Sequence, residues 1–285
     1  MMHPKILISA PEFQRKLGDP EWVAIDCRSD LLDPDAGRMA YDQGHIPGAV
    51  FLDLDRELAG PVRPETGRHP LPDVGAMTTR LGELGIRTTD KVVVYDGNHG
   101  ALAARAWWTL RWLGHDAVRL LDGGLAHWAS MGLPVDGEGV ERAPVSYVAR
   151  ADSSMVVTTE ELASDVPGIA NRNLLDARDR ARFRGEQEPI DPVAGHVRGA
   201  VNVPFTDFVD EDGTWRSVEE RTGLIEGALG SDREAAWCVM CGSGVTACHL
   251  AISGLEAGFR EPRLYVGSWS EWIRDPGRPI CTGEG

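Results

Sequence analysis

Cys241 is the residue of this chain whose sequence surroundings best suit a nucleophile. The apolar run at 235–240 predicts a buried strand, and the apolar spacing over 244–258 predicts a helix. Small residues at 242–244 form a tight loop between them, in which backbone N–H groups and the helix start can point toward one spot. Such groups stabilise a thiolate over a neutral thiol. The pattern therefore predicts a reactive Cys241 rather than a packed core thiol.

The cysteine pattern indicates neither a disulfide framework nor a metal site. The five cysteines have no framework spacing, and an odd number in a chain of 285 residues is typical of a protein kept in a reducing cytosol. Cys238 and Cys241 have the spacing of a redox pair, but Cys238 falls inside the predicted strand rather than at a helix start. We interpret Cys238 as a core thiol. A metal site would need a second ligand pair, and none has the required spacing.

Charge and hydropathy exclude two classes of partner. The net charge of −15 argues against a nucleic-acid surface, which needs a basic face. No apolar run approaches the roughly 20 residues of a membrane span, and the N-terminus lacks the pattern of a secretion signal. We expect a cytoplasmic protein without nucleic-acid or membrane partners. In so acidic a chain an anionic substrate requires local positive charge, so arginines near the cysteine become informative.

The chain contains two copies of one sequence pattern. Four blocks recur in the same order at an offset of 144 to 151 residues. The paired blocks are 23–28 with 173–178, 44–54 with 195–205, 91–100 with 235–244, and 118–128 with 262–272. The repeat predicts two domains, at 1–135 and 158–285, joined by a polar linker at 136–157 that contains Gly and Pro.

Each copy alternates short apolar strands with helical segments, which predicts an α/β fold with a parallel sheet flanked by helices on both faces. In the second copy the predicted strands are 174–177, 200–203, 237–240 and 263–266, and the predicted helices are 158–164 and 244–258. Ligands of such sheets bind at the carboxyl ends of strands, where Cys241 lies. We interpret the three tryptophans of the predicted helix at 100–114 as core or interdomain packing.

The loop CGSGVTA at 241–247, in the second of two repeats, resembles the active-site loop of the rhodanese-like sulfurtransferases, in the form carried by the mercaptopyruvate-using enzymes. Thiosulfate-using members usually have basic residues directly after the cysteine, where this chain has Gly242 and Ser243. Related phosphatases use a longer loop that ends in arginine, whereas this chain has Thr246 and Ala247 there. The resemblance covers nearly the whole chain. It implies sulfur transfer through a persulfide, without a metal or organic cofactor.

The resemblance also implies different roles for the two domains. It implies that the backbone of the loop holds the negative charge of a persulfide on Cys241. The loop residues expected to do so, as part of the donor site, are Gly242, Gly244, Val245 and Thr246. In the first copy Asp96 occupies the place of the cysteine and cannot accept a sulfur atom. The first domain is therefore expected to be non-catalytic and to form one wall of the active-site cleft.

In the family, an arginine shortly after the D-x-R strand binds an anionic sulfur donor. Arg182 matches that position, and a guanidinium fits the carboxylate of mercaptopyruvate in two-pronged geometry. The neighbouring Arg178 and Arg184 are either substrate-binding or part of a solvated basic face, and Arg184 is retained as a candidate. Mercaptopyruvate enzymes typically carry a further arginine nine residues after the first, where this chain has Asp191. Either Arg184 or a residue of the first domain replaces it, or the donor differs.

The mercaptopyruvate enzymes also combine a serine of the loop with a histidine and an aspartate of the first domain. By resemblance these residues are Ser243, His69 and Asp55. A histidine oriented by a carboxylate can polarise a serine hydroxyl, which assists proton movement as the enolate of pyruvate leaves. The alternative for His69 is an ordinary surface histidine.

The sequence therefore predicts an enzyme that moves sulfur from 3-mercaptopyruvate, a small anionic donor, through Cys241 to a thiol, a thioredoxin-like protein or cyanide. Two alternatives stay open. One is an enzyme whose preferred donor is thiosulfate. The other is a persulfide carrier that accepts sulfur from a partner protein and has little turnover of its own.

Overall fold

A computed structural model of the chain describes residues 5–30, 33–140, 142–164 and 173–284. Ten of the twelve strands in the described ranges form two five-stranded sheets, one from each half of the sequence, and the other two form a small antiparallel sheet. The first half contains β1 (Leu7–Ile8), α1 (Ala10–Gln14), β2 (Trp22–Asp26), α2 (Ala36–Gln43), β3 (Val50–Phe51), α3 (Val74–Glu83), β4 (Lys91–Tyr95), α4 (Ala101–Trp112), β5 (Val118–Leu121) and α5 (Gly124–Ser130). The second half contains β6 (Val156–Val157), α6 (Thr159–Ala163), β7 (Leu174–Asp176), α7 (Arg180–Arg184), β8 (His196–Val197), β9 (Val201–Asn202), α8 (Val218–Leu229), β10 (Cys238–Met240), α9 (Ala247–Glu256), β11 (Arg263–Tyr265), α10 (Ser268–Trp272) and β12 (Ile280–Cys281).

The two sheets have the same topology. The first has the strand order β1-β5-β4-β2-β3 and the second the order β6-β11-β10-β7-β9, and neighbouring strands in both are parallel. Strand for strand the orders correspond, as expected from the sequence repeat. The predicted α/β fold with two parallel sheets is thus confirmed. Residues 156–157, inside the segment predicted as a linker, form β6 at the edge of the second sheet.

Successive side chains of each strand point to opposite faces of the sheet, so apolar residues pack into a core on both faces. In β4, Val92 and Val94 belong to the large hydrophobic cluster, whereas Val93 and Tyr95 belong to a cluster on the opposite face. The large cluster also contains Val239 of β10. One face of each sheet therefore contributes to a core that the two halves of the molecule share.

Helices α4 and α9 contact each other within this shared core. Trp107, Trp108 and Trp112 of α4 are all buried, and the rings of Trp108 and Trp112 stack with their centres 6.3 Å apart. The interpretation of these tryptophans as packing residues is confirmed. Because α4 and α9 each follow the central strand of their sheet, their contact brings together the two loops that precede them.

Helix α9 begins at Ala247, three residues later than the predicted start at 244. The reason is Gly244, whose φ of +75° lies in the left-handed region that glycine tolerates and a helix does not. A Cβ at this position would lie 2.5 Å from the carbonyl oxygen of Val266, so the turn also needs the absence of a side chain. Across the described ranges, none of the helices combines the length and apolar character needed to cross a membrane.

Candidate active site

Cys241 follows the central strand of the second sheet and lies at its carboxyl end. The residue is 2% exposed, so its surroundings exclude most of the solvent. The start of α10 fixes the backbone of Cys241. The Cys241 amide donates to Ser268 Oγ at 3.1 Å, and the Cys241 carbonyl oxygen accepts from the amide of Trp269 at 3.0 Å. Ser268 has a left-handed φ of 53°, which costs a non-glycine residue about 1–2 kcal/mol. Nothing in the sequence signals this supporting role of Ser268.

The loop after Cys241 has backbone donors to offer a bound anion. Within the described residues, the amide nitrogens of residues 242–246 donate no hydrogen bond to another residue. Gly242, Ser243, Gly244 and Val245 are nevertheless buried. Buried amides require an acceptor, and negative charge on the sulfur or on a donor molecule can supply one.

The matching loop of the first domain is closed by its own carboxylate. Asp96 is 3% exposed. Its two oxygens accept hydrogen bonds of 2.9 to 3.2 Å from the amides of Asn98, Gly100, Leu102 and Ala103. Burial raises the pKa of this carboxyl group, and the four hydrogen bonds act in the opposite direction. An internal anion thus satisfies the amides in the first loop, whereas the second loop keeps its amides available.

Ser243, His69 and Asp55 form a continuous chain of hydrogen bonds. His69 Nδ1 lies 2.7 Å from Ser243 Oγ, and His69 Nε2 lies 3.0 Å from Asp55 Oδ1. Burial and the charge of Arg105 lower the pKa of His69 to about 4, although Asp55 acts to raise it. The ring is therefore neutral at pH 7, with Nε2–H donating to the carboxylate and Nδ1 accepting from the serine hydroxyl. This arrangement allows His69 to take up the proton of Ser243.

The segment that carries His69 is docked on the second domain. The amide of Arg68 donates to Ser270 Oγ at 3.0 Å, and Arg274 Nε donates to the carbonyl oxygen of Thr66 at 3.2 Å. Gly67 lies so close to the second domain that a Cβ on it would be 2.5 Å from the carbonyl oxygen of Gly267. The first domain thus places two side chains, Arg68 and His69, at the loop of the second.

Arg105 of α4 connects the same elements from inside the protein. It is fully buried, and its guanidinium donates to the carbonyl oxygens of Gly244 at 3.0 Å, His69 at 3.2 Å and Leu58 at 3.4 Å. No ion pair with a carboxylate is formed by Arg105 within the described ranges. Sequence reasoning missed this residue, although an arginine within an apolar, tryptophan-rich helix was the available signal.

Arg182 lies beside the loop, as the family position predicts. Its Nε donates to Glu188 at 2.8 Å and its Nη2 to Asp191 at 3.1 Å. The Nη2 and Nη1 atoms are 3.4 and 3.6 Å from the point where a Cβ of Gly242 would be. Arg184, the other arginine expected to bind the donor, pairs instead with Glu284 at 2.8 Å and is about one third exposed.

The remaining residues considered from the sequence, Arg178, Cys238 and Thr246, lie at positions where they support the fold. Arg178 is buried and pairs with Asp176 at 2.7 Å, with its guanidinium over the ring of Trp269. Cys238 is a free buried thiol, and burial raises its pKa to about 11. Thr246 is the N-terminal cap position of α9. Arg178 thus supports the strand end, and Cys238 is an unreactive core residue.

Comparison with known proteins gives consistent matches over the whole chain. The rhodanese-like domain family matches it twice, at residues 9–131 and 158–275. A probable 3-mercaptopyruvate sulfurtransferase of Pseudomonas aeruginosa is 45% identical over 282 residues, which cover 98% of each chain. A putative thiosulfate sulfurtransferase of Mycobacterium tuberculosis is 39% identical, again over 98% of each chain. Among solved structures, the 3-mercaptopyruvate sulfurtransferase from Leishmania major aligns with a TM-score of 0.84 at 29% identity, covering 96% of this chain and 76% of that one.

These matches agree with the repeated topology and with the paired loops that begin at Asp96 and Cys241. The chain belongs to the rhodanese family and consists of two rhodanese-like domains in tandem.

Proposed function

We propose that the protein is a sulfurtransferase that takes sulfur from 3-mercaptopyruvate, holds it as a persulfide on Cys241 and passes it to a thiol or cyanide. The observation that supports this donor most directly is the hydrogen-bonded chain from Ser243 through His69 to Asp55. Removal of sulfur from mercaptopyruvate leaves a carbon anion that must be protonated. A serine polarised by a neutral histidine can assist that proton transfer.

In the first half-reaction the Cys241 thiolate attacks the donor sulfur, and the carbon–sulfur bond breaks with its electron pair passing to the enolate. The proton that the donor thiol carried is delivered to carbon with the help of Ser243, so the products are pyruvate and the persulfide anion. Arg182 binds the donor carboxylate, and the amides of residues 242–246 stabilise the negative terminal sulfur. In the second half-reaction an acceptor thiolate attacks that sulfur, and Cys241 leaves as a thiolate.

The acceptor is a thiol of a small molecule or of a thioredoxin-like protein. We place the reaction in a reducing compartment, the cytoplasm, because all five cysteines of the chain are free thiols.

Release of pyruvate from 3-mercaptopyruvate tests the proposal. We expect steady-state turnover in the native protein and none in the Cys241→Ser variant. Cys281→Ser is the matched control, because Cys281 is a partly exposed thiol on β12 and should be dispensable. Native protein that releases no pyruvate would overturn the proposal.

Thiosulfate is the second candidate donor, favoured by Asp191 at the position where mercaptopyruvate enzymes have an arginine. Assays with both donors at equal concentration distinguish the two, since the larger kcat/KM identifies the donor. A persulfide carrier would show a different result, in which Cys241 gains sulfur only when a partner protein is added.

A further inference from the structure

Two guanidinium groups from different domains converge on the residue next to the nucleophile. Arg68 Nη2 lies 2.9 Å from the position of a Cβ on Gly242, closer than either terminal nitrogen of Arg182. Arg68 belongs to the first domain, and Arg182 lies on α7 of the second. A side chain at position 242 would displace the Arg68 guanidinium, whereas glycine leaves room for both guanidinium groups beside the loop.

Asp191 joins the two arginines. One of its oxygens accepts a hydrogen bond from Arg68 Nη1, and the other accepts from Arg182 Nη2 at 3.1 Å. Its side chain is only 4% exposed, and its amide donates to Glu188 Oε1 at 3.1 Å, which fixes the carboxylate in place. Asp191 therefore holds the two guanidinium groups side by side. Because its negative charge is paired with both of them, it does not stand alone against an anionic donor.

After these contacts, each of the two arginines still has guanidinium N–H groups that can bind a ligand. Among the described residues, Arg68 Nη2 and Arg182 Nη1 donate no hydrogen bond, and both lie beside Gly242. Three guanidinium groups, those of Arg68, Arg182 and Arg105, lie around the loop, and the carboxylates of Asp191 and Glu188 lie beside Arg182. Two nitrogens from two guanidiniums, next to the loop, can bind the two oxygens of a carboxylate.

We infer that Arg68 is the second carboxylate-binding residue of the donor site and that Asp191 is the positioning residue that holds it there. The inference rests on the proposed function. It accounts for Asp191 at the place where an arginine is expected, because the missing positive charge comes from the first domain. The donor site is then complete only while segment 66–69 is docked on α10, through the contact between the Arg68 amide and Ser270.

The test compares two donors that differ only in the carboxylate. We expect Arg68→Met to raise KM for 3-mercaptopyruvate on the order of 10- to 100-fold, the effect of losing one charge-assisted hydrogen-bonding partner, with a smaller change in kcat. With mercaptoacetone, which has a methyl group in place of the carboxylate, kcat/KM should be the same in native and variant protein. Arg63→Met is the control, since Arg63 is exposed in the same loop and should leave both donors unaffected.

A double variant separates substrate binding from a purely structural ion pair. Arg68→Met combined with Asp191→Arg removes the ion pair but supplies a guanidinium from the second domain, and we expect it to recover part of the lost affinity for mercaptopyruvate. If Arg68→Met does not fold, Arg68→Lys provides the measurement, with an intermediate KM for mercaptopyruvate and unchanged mercaptoacetone kinetics. An equal loss with both donors, or no change with mercaptopyruvate, would overturn the inference. Failure of the native protein to release pyruvate would instead overturn the proposed function.

Discussion

His69 Nδ1 lies 2.7 Å from Ser243 Oγ, although the two residues are 174 positions apart and follow strands of different sheets. The contact exists because the segment around His69 reaches across to α10 of the second domain and is held there by Ser270. The first domain has Asp96 at the position that matches Cys241, and in the proposed reaction it supplies His69 and Asp55 to the loop of the second domain. The proposed catalytic centre is therefore built from both domains.

Removal of the histidine should reduce the chemical step. We expect His69→Asn to lower kcat for pyruvate release by roughly 10²- to 10⁴-fold, the usual contribution of a positioned acid or base. The corresponding change of a histidine outside the site, His127→Asn on α5, should leave kcat at the native value. An unchanged kcat in a folded His69→Asn variant would show that Ser243 acts without the histidine.

The lowered pKa of His69 predicts a specific dependence of stability on pH. In the unfolded chain this imidazole binds a proton below about pH 6.5, whereas in the folded protein it does so only below about pH 4. The unfolded state is therefore favoured as the pH falls through this window, and the loss of unfolding free energy is on the order of 3 kcal/mol. The unfolding free energy measured with urea should fall more between pH 7 and pH 4.5 for the native protein than for His69→Asn. Equal losses would contradict a neutral buried histidine.

Arg105 should matter for both stability and activity. Replacement by Met leaves the carbonyl oxygens of Gly244 and His69 without their buried donor, which should reduce the unfolding free energy by roughly 2–5 kcal/mol and lower kcat. Arg111→Met, further along the same helix, removes an arginine that is one quarter exposed and should cost less than about 1 kcal/mol. Similar costs for the two variants, measured by urea unfolding, would refute the role assigned to Arg105.

Asp96 should be important for folding and irrelevant to catalysis. Asp96→Ala leaves buried amides without an acceptor and should reduce the unfolding free energy by roughly 2–4 kcal/mol. At a temperature where the variant is folded, kcat for pyruvate release should equal that of the native protein. A large fall in kcat under those conditions would mean that the first loop takes part in the reaction.

The sequence predicts the fold, which the structure confirms, and a candidate nucleophile, because both depend on local patterns. Strand and helix periodicity, repeated at an offset of 144 to 151 residues, predicts two parallel sheets, and the glycine-rich loop makes Cys241 the candidate nucleophile. The predicted start of α9 at residue 244 is three residues early, since apolar spacing carries no signal for the left-handed turn at Gly244. Family resemblance alone supplied His69 and Asp55, because their distance from Ser243 along the chain carries no local signal.

The sequence does not predict the roles of three supporting residues for the same reason, although the arginine in the apolar helix α4 is an unusual feature. The roles of Ser268, Arg105 and Arg68 come from contacts between elements far apart in the chain. Asp191 conflicted with the family pattern at the level of the sequence. Its position between Arg68 and Arg182 depends on the docking of the two domains, for which the sequence has no local pattern.

Mass spectrometry of a single turnover tests the central claim most directly. Native protein mixed with one equivalent of 3-mercaptopyruvate, without an acceptor, should gain one sulfur atom on the peptide that contains Cys241 and release one equivalent of pyruvate. Subsequent addition of cyanide should return the peptide to its original mass and form thiocyanate. Pyruvate release without added sulfur on that peptide, or sulfur found on another cysteine, would contradict the account.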